Sequence, residues 1–243
     1  MPNVLILGAT SDIAVAIAAK YANEKYNLSL AARNVKLLEP IKQDLEIRYQ
    51  HQVDLYTFDA TDFETHNSFF QSLKEKPEIT VCVFGLMEAE DRALEDWEIC
   101  KKMIDTNYTG AVSILNIIAK HYIRQRSGTI VGISSVAGER GRKSKLIYGS
   151  SKAAFSAYLA GLRNLTHDSN VQVVSVKPGF VDTKMTEDLD LPPLLTAKPE
   201  LVANKVYSGV RKGKNVIYVK WFWRYIMLII KLIPERIFKK MNL

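Results

Sequence analysis

Tyr148 and Lys152 stand four residues apart, the spacing that puts two side chains on one face of a helix. An ammonium beside a phenol favours the phenolate and lowers a pKa that is about 10 when free. A phenol tuned in this way can hand a proton to a carbonyl oxygen. Ser135 lies thirteen residues earlier, at the end of the apolar run Thr129-Ile130-Val131-Gly132-Ile133. A strand ending in a hydroxyl, then a loop containing Gly138, then a helix opening near Tyr148 would bring the three groups together. A bare Tyr-x-x-x-Lys fits any exposed helix; the serine at this distance makes the pattern specific.

The elements that must position this group follow from apolar periodicity. Strands are expected near 3–7, 27–32, 53–58, 80–84, 129–134, 171–177 and 215–219. Helices are expected over 12–25, 36–49, 62–74, 95–125 as one long stretch, and 148–167. The strands are β-branched or Leu-rich without clean alternation, as when both faces of a sheet are covered. Repeated βαβ units imply right-handed crossovers and a doubly wound parallel sheet, an α/β fold.

At 243 residues and 47% apolar, the chain can bury one sizeable core. Met1-Pro2 leads straight into an apolar strand, so no signal peptide is expected. Cys82 and Cys100 are too few for a disulfide framework or a zinc site and read as thiols in a reducing, cytoplasmic compartment. His51, His66, His121 and His167 are scattered without ligand spacing, so surface positions and no metal are expected.

Three further positions suggest a nucleotide. Gly8-Ala9-Thr10-Ser11-Asp12-Ile13-Ala14 joins the first strand to the first helix, where backbone N–H groups can meet a phosphate. Thr10 or Ser11 serves equally as a plain helix cap. Asp12 is awkward beside a pyrophosphate, so its carboxylate should point elsewhere or be hydrogen-bonded away. Arg33, after the second strand, stands where an acid would hold ribose hydroxyls; it suits a 2′-phosphate or is simply a solvated arginine. Asp59 either accepts from an adenine amino group or caps the next turn.

The net charge of +7 is unevenly placed. Residues 211–243 carry nine Lys/Arg against one acid, Glu235, leaving 24 Lys/Arg against 25 Asp/Glu before them. That argues against a nucleic-acid-binding body and for a local anionic partner. Within 220–243, Lys220-Trp221-Phe222-Trp223-Arg224 opens an apolar helix that is broken at Pro234. Arg224, Lys231 and Glu235 share a narrow stripe. The uninterrupted apolar part, 225–230, is far short of a membrane span. A basic, Trp-rich helix suits an anionic membrane surface, here the inner face; packing on another subunit is the alternative.

Gly8…Asp12-Ile13-Ala14, Asp59, Asn107, Ser135, Tyr148-x-x-x-Lys152 and Pro178-Gly179-x-x-x-Thr183 resemble, in order and spacing, the short-chain dehydrogenase/reductase family over about residues 2–215. The resemblance implies a Rossmann fold, a nicotinamide cofactor and carbonyl–alcohol hydride transfer, commonly in homo-oligomers. Tyr148 would be the general acid, and Ser135 would orient the substrate oxygen. Lys152 would hold the nicotinamide ribose, Asn107 a relay water and Thr183 the carboxamide. Cofactor contacts would fall on Gly8, Thr10, Ser11, Asp12, Ile13, Arg33, Asp59, Ala60, Gly85, Asn107, Tyr148, Lys152, Pro178, Gly179, Val181 and Thr183. Two departures, Asp12-Ile13-Ala14 for Gly-Ile-Gly and Val83-Phe84-Gly85 for Asn-Ala-Gly, resemble one branch. It comprises the decaprenylphosphoryl-ribose 2-epimerase reductase subunit and relatives, which reduce a lipid-linked keto sugar.

The expectation is a Rossmann domain over 1–219 with a lid at about 183–198, whose Pro192-Pro193-Leu194-Leu195 would touch an apolar substrate, and a tail over 220–243. The expected activity is NADP-preferring reduction of a ketone on a lipid-linked or bulky apolar substrate, NAD also being possible. The alternatives are a soluble carbonyl or 3-ketoacyl-type reductase whose tail serves oligomerisation, and a nucleotide-binding partner subunit without turnover.

Overall fold

The computed structural model describes residues 1–187 and 189–241. Their centre is a seven-stranded, all-parallel sheet in the order β3-β2-β1-β4-β5-β6-β7. Its strands are β1 (Asn3–Leu7), β2 (Asn27–Ala32), β3 (Val53–Thr57), β4 (Ile79–Cys82), β5 (Gly128–Ile133), β6 (Val171–Lys177) and β7 (Val216–Tyr218). All seven expected strands form. Strand order reverses between β1 and β4, which opens a crevice at the carboxyl ends of those two strands.

The middle of the sheet is covered on both faces, and β1 shows how. Val4 and Ile6 face one core with Ile17, Val202 and Val206. Leu5 and Leu7 face the other core with Ile114, Ile118, Phe155 and Leu159. Each such burial contributes roughly 1.5–3 kcal/mol, so a strand that looks uniformly apolar is still read with period two.

The first core is roofed by α1 (Asp12–Asn23), α2 (Glu39–Tyr49) and α8 (Pro199–Arg211); the second by α3 (His66–Ser72), α6 (Gly110–Gln125) and α7 (Leu146–Leu165). Not anticipated is α8, which begins on Pro199 and packs Val202, Ala203 and Val206 along α1. The single helix expected over 95–125 is instead α4 (Glu90–Glu95), α5 (Trp97–Ile104) and α6, the last two joined through a π-helical turn, Asp105–Thr109. Asp96 caps α5 by accepting from Glu98 N–H, which breaks the run at its start.

The four histidines were expected at the surface, and His66 is not. It is fully buried, with Nδ1 2.9 Å from Ser113 Oγ and Nε2 2.9 Å from the Asp59 carbonyl oxygen, stacked on Phe58. Both ring nitrogens are satisfied within the core, so burial is affordable without a metal or a charge.

After β7 come α9 (Phe222–Leu232) and α10 (Glu235–Phe238), divided at Pro234. Trp223 and Met227, four apart, bury against Val136, Phe180 and Leu195 in a third apolar cluster. The polar stripe stays exposed but is ion-paired at its end. Lys231 donates to Glu139 (2.6 Å), and Glu235 receives Arg140 (2.9 Å). Arg140 also donates to the Ile233 carbonyl (2.7 Å) and to that of Ile230, closing the C-terminal end of α9, and its guanidinium lies 3.7 Å from the centre of the Phe238 ring.

Candidate active site

Ser135, one residue beyond the end of β5, opens the 3-10 turn Val136–Glu139, with its Oγ accepting from Ala137 N–H (3.0 Å). Its neighbour Ser134 binds the Lys152 carbonyl (3.0 Å) and Ser156 Oγ (2.7 Å), which fixes the strand end against α7. Tyr148 lies in the first turn of α7 and Lys152 one turn later on the same face. Lys152 Nζ sits 5.9 Å from the phenol ring centre. Nothing local caps α7. The Glu90 carboxylate, 57 residues earlier, accepts from the N–H groups of Ile147 (2.9 Å) and Tyr148 (3.3 Å) and so positions the tyrosine.

The electrostatics differ from the expected lysine-lowered phenol. Burial pushes the Tyr148 phenol up to about 12, against a downward pull from its hydrogen bond with Ser135. Burial likewise pushes the Lys152 ammonium down to about 8, with Cys82 opposing. Lys152 Nζ donates to the Ile133 carbonyl at 3.1 Å. Among the described residues that is its one hydrogen-bond acceptor, which leaves two donors of a buried ammonium facing the cleft. At neutral pH the phenol is therefore protonated, the state a proton donor requires.

These residues line a cleft of about 480 Å³ together with Thr10, Ser11, Asp12, Ile13, Gly85, Pro178, Gly179, Val181 and Thr183. It adjoins a second pocket of about 200 Å³ that holds Gly8, Arg33, Asp59 and Ala60 and shares Thr10, Ser11 and Gly85. The structure thus gathers every expected site residue but one around a continuous depression. Asn107 is the exception. It sits buried in the π-helical turn, where its Oδ1 accepts from Leu86 N–H and its Nδ2 donates to Leu86 C=O, both at 2.8 Å. The side chain thus holds the loop after β4.

The turn after β1 is tight. Gly8 has φ +85°, and a Cβ there would lie 2.7 Å from Phe84 backbone atoms. Ser11 caps α1 through Ala14 N–H (3.2 Å). As expected, Asp12 is hydrogen-bonded away: its carboxylate accepts Lys184 N–H at 2.8 Å, tying the turn to the segment after Thr183. Burial raises the Asp59 carboxyl, but Thr61 N–H and hydroxyl, with Arg33 and His66 nearby, hold it below the usual range. Arg33 is exposed at the pocket edge.

The lid expected at 183–198 is anchored at both feet by the Val181–Ala197 bridge and the bond from Asp182 N–H to Ala197 C=O (2.9 Å). The leucines named for it fall differently. Leu194 is exposed and Leu195 packs beside Trp223, whereas Met185 and Leu189 line the cleft. Four contributors escaped the sequence reading: Glu90, Arg142, Lys145 and Trp223. Trp223 walls the cleft from the tail. It lies directly over Gly179, where a Cβ would come within 2.1 Å of the indole.

A parallel sheet whose order reverses beside a grouped serine, tyrosine and lysine defines a doubly wound α/β enzyme with its site at the switch point. The sequence profile described as short chain dehydrogenase matches residues 2–192, and the chain belongs to that family of oxidoreductases. An uncharacterized oxidoreductase of Mycobacterium tuberculosis is 31% identical over 241 residues, spanning 98% of this chain and 96% of its own length. An NADP-dependent 3-hydroxy acid dehydrogenase of Schizosaccharomyces pombe is 29% identical over 188 residues, spanning 75% and 73%. Among solved structures, a short-chain dehydrogenase from Sphingobium yanoikuyae in complex with NADPH superposes with a TM-score of 0.85 at 22% identity, covering 97% of each chain.

Proposed function

We propose that the protein is an NADP-preferring reductase that converts a ketone to an alcohol with Tyr148 as proton donor. The observation that carries this reading is the meeting of Ser135, Tyr148 and Lys152 in one cleft that continues into a pocket edged by Arg33 and Asp59. The residues fit a nicotinamide dinucleotide. The Gly8 turn exposes the capped start of α1 to phosphate, Arg33 offers a cation without an acidic neighbour in sequence, and Lys152 keeps two buried donors for ribose hydroxyls. The S. pombe relative is named for NADP, and the Sphingobium structure is in complex with NADPH.

When bound, the cofactor supplies the hydride. Tyr148, protonated at neutral pH, gives its proton to the oxygen on which charge develops, and Ser135 donates to the same oxygen. Lys152 holds ribose hydroxyls and keeps positive charge near the phenol as its proton leaves. The walls Met185, Leu189 and Trp223 exclude water and suit an apolar substrate, a keto sugar on a lipid phosphate among them.

Arg33 carries the NADP preference. Arg33→Ala is expected to lower the NADPH-to-NADH ratio of kcat/KM about 10–100-fold, the worth of a charge-assisted hydrogen bond. An unchanged ratio removes the phosphate contact from the reading.

The tail's outer face supports attachment to an anionic membrane surface. Trp221 (72% exposed), Ile229 (64%) and Leu232 (72%) stand beside exposed Arg224, Arg236, Lys239 and Lys240. No helix of the described residues is long and apolar enough to cross a membrane. Each basic residue near an anionic leaflet adds about 1 kcal/mol. Cutting at Val219 would delete the Trp223 wall, so the test uses outer-face variants. The full chain should co-sediment with phosphatidylglycerol vesicles at low salt, less so at high salt. Ile229→Ser combined with Lys239→Ser and Lys240→Ser should abolish the binding. Absence of binding, with a smaller oligomer in that variant, would make this face a subunit contact.

A further inference from the structure

We propose that Arg142, with Lys145 beside it, forms an anion subsite at the substrate end of the cleft, so that the substrate carries a phosphate or carboxylate close to its reducible carbonyl. The inference rests on the ketone-reductase reading and adds the charge of the substrate to it.

The loop between the Ser135 turn and α7 reads Glu139-Arg140-Gly141-Arg142-Lys143-Ser144-Lys145. Its charges divide by task. Glu139 and Arg140 turn to the terminal helices. Arg142 and Lys145 line the cleft with Ser135 and Tyr148. Arg142 Nε is buried and, among the described residues, has no hydrogen-bond partner. No carboxylate forms an ion pair with Arg142 among the described residues. A guanidinium N–H taken out of water without an acceptor is costly. Burial moves the arginine's pKa downward. Lys145 Nζ meets the Met87 sulfur at 3.3 Å, a weak acceptor for an ammonium. Glu90, the acid that reaches this helix start, is engaged by the N–H groups of Ile147 and Tyr148.

Two cations, Arg142 with its unpartnered buried Nε and the half-buried Lys145, thus line a cleft otherwise walled by Met87, Val136, Phe180, Leu189 and Trp223. Neither lines the pocket of Arg33 and Asp59, so the nucleotide reading makes no use of them. The planar fork of an arginine suits a carboxylate or phosphate oxygen pair, and a neighbouring ammonium adds a point charge. Arg142 precedes Tyr148 by six residues across one tight turn, which places the anion near the oxygen that Tyr148 protonates.

The test compares paired ketones with NADPH: 3-oxooctanoate against its methyl ester, and dihydroxyacetone phosphate against dihydroxyacetone. The wild type should favour the charged member of at least one pair about tenfold or more in kcat/KM. Arg142→Gln should shrink that discrimination at least tenfold, mainly through KM, with Arg142→Lys intermediate. The pair that responds tells carboxylate from phosphate. A second readout needs no turnover. Inorganic phosphate should raise the melting temperature of the Arg33→Ala protein, in which the nucleotide arginine is gone, and not that of Arg33→Ala/Arg142→Gln. Ketones reduced without charge preference, with Arg142→Gln leaving the ratio unmoved, would overturn the subsite and leave the reductase standing. A phosphate shift that needs Arg142, with no ketone reduced, would keep the subsite and remove the reductase. Absence of both overturns both. Should Arg142→Gln not fold, Lys145→Gln on its more open side chain is expected to lower the same ratio, and no change there counts against the subsite.

Discussion

Tyr148→Phe is expected to lower NADPH-dependent ketone reduction by about 10²–10⁴-fold, the usual contribution of a positioned proton donor. Affinity for NADPH should stay close to that of the wild type. The substitution removes one oxygen and leaves the ring beneath Lys152, the bond from Lys152 to Ile133 and the whole of the Arg33 pocket in place. Steady-state rates together with a fluorescence titration of NADPH separate the two effects. A variant that turns over at the wild-type rate would sink the tyrosine mechanism. A variant that loses turnover and cofactor binding together would move Tyr148 from proton transfer to cofactor support.

The second large effect is at Glu139. Its side chain is only 5% exposed, and burial alone would raise its pKa. Lys177, Lys231 and the Tyr218 hydroxyl instead hold it at about 2, against 4.5 when free. A carboxyl lowered on folding contributes stability that is complete above about pH 4.5 and is lost as pH falls toward 2. The shift corresponds to about 3 kcal/mol near neutrality. Glu139→Ala also strands Lys177 (17% exposed), a change that costs about 3–5 kcal/mol when the pair is buried, whereas Lys231 (43% exposed) can turn to water. In a chain of this size the melting temperature should fall by about 6–15 °C at pH 7. Thermal melts of both proteins from pH 7 to 2 check the sign, because the gap should close as pH drops. A gap independent of pH would show that the carboxylate charge contributes nothing. Activity should fall with stability, since Glu139 closes the turn that Ser135 opens.

The parts of the fold legible in the sequence are those whose signal is local. The central strands appear as short apolar runs because both their faces are covered, and the partly exposed edge strands β3 and β7 were visible as well. Tyr148 and Lys152 carry their geometry in a four-residue spacing. Asp12 could be expected to turn away because a carboxylate and a pyrophosphate repel each other. What was missed depends on partners distant in the chain. Lys145 carries no capping side chain at the start of α7, because the cap comes from Glu90. Lys231 and Glu235 look like a solvated stripe until folding brings Glu139 and Arg140 against them. His66 reads as polar and external, yet Ser113 and a backbone carbonyl satisfy both its nitrogens inside. The α8 helix was different. Pro199 at its first position and Val202, Ala203 and Val206 on one face are a local signal that the sequence itself carries.

The terminal helix α9 is one layer thick: Trp223 and Met227 look inward, while Trp221, Ile229 and Leu232 look out. A helix is only about 10 Å across, so whatever settles on the outer side comes to rest one helix width from the cleft wall that Trp223 forms. Heredity feels this closeness. An exchange of C-termini between related chains would replace a wall of the substrate cleft together with the outer contact surface. The segment after β7 therefore builds the cleft as well as the outer surface, and does not behave as an interchangeable part.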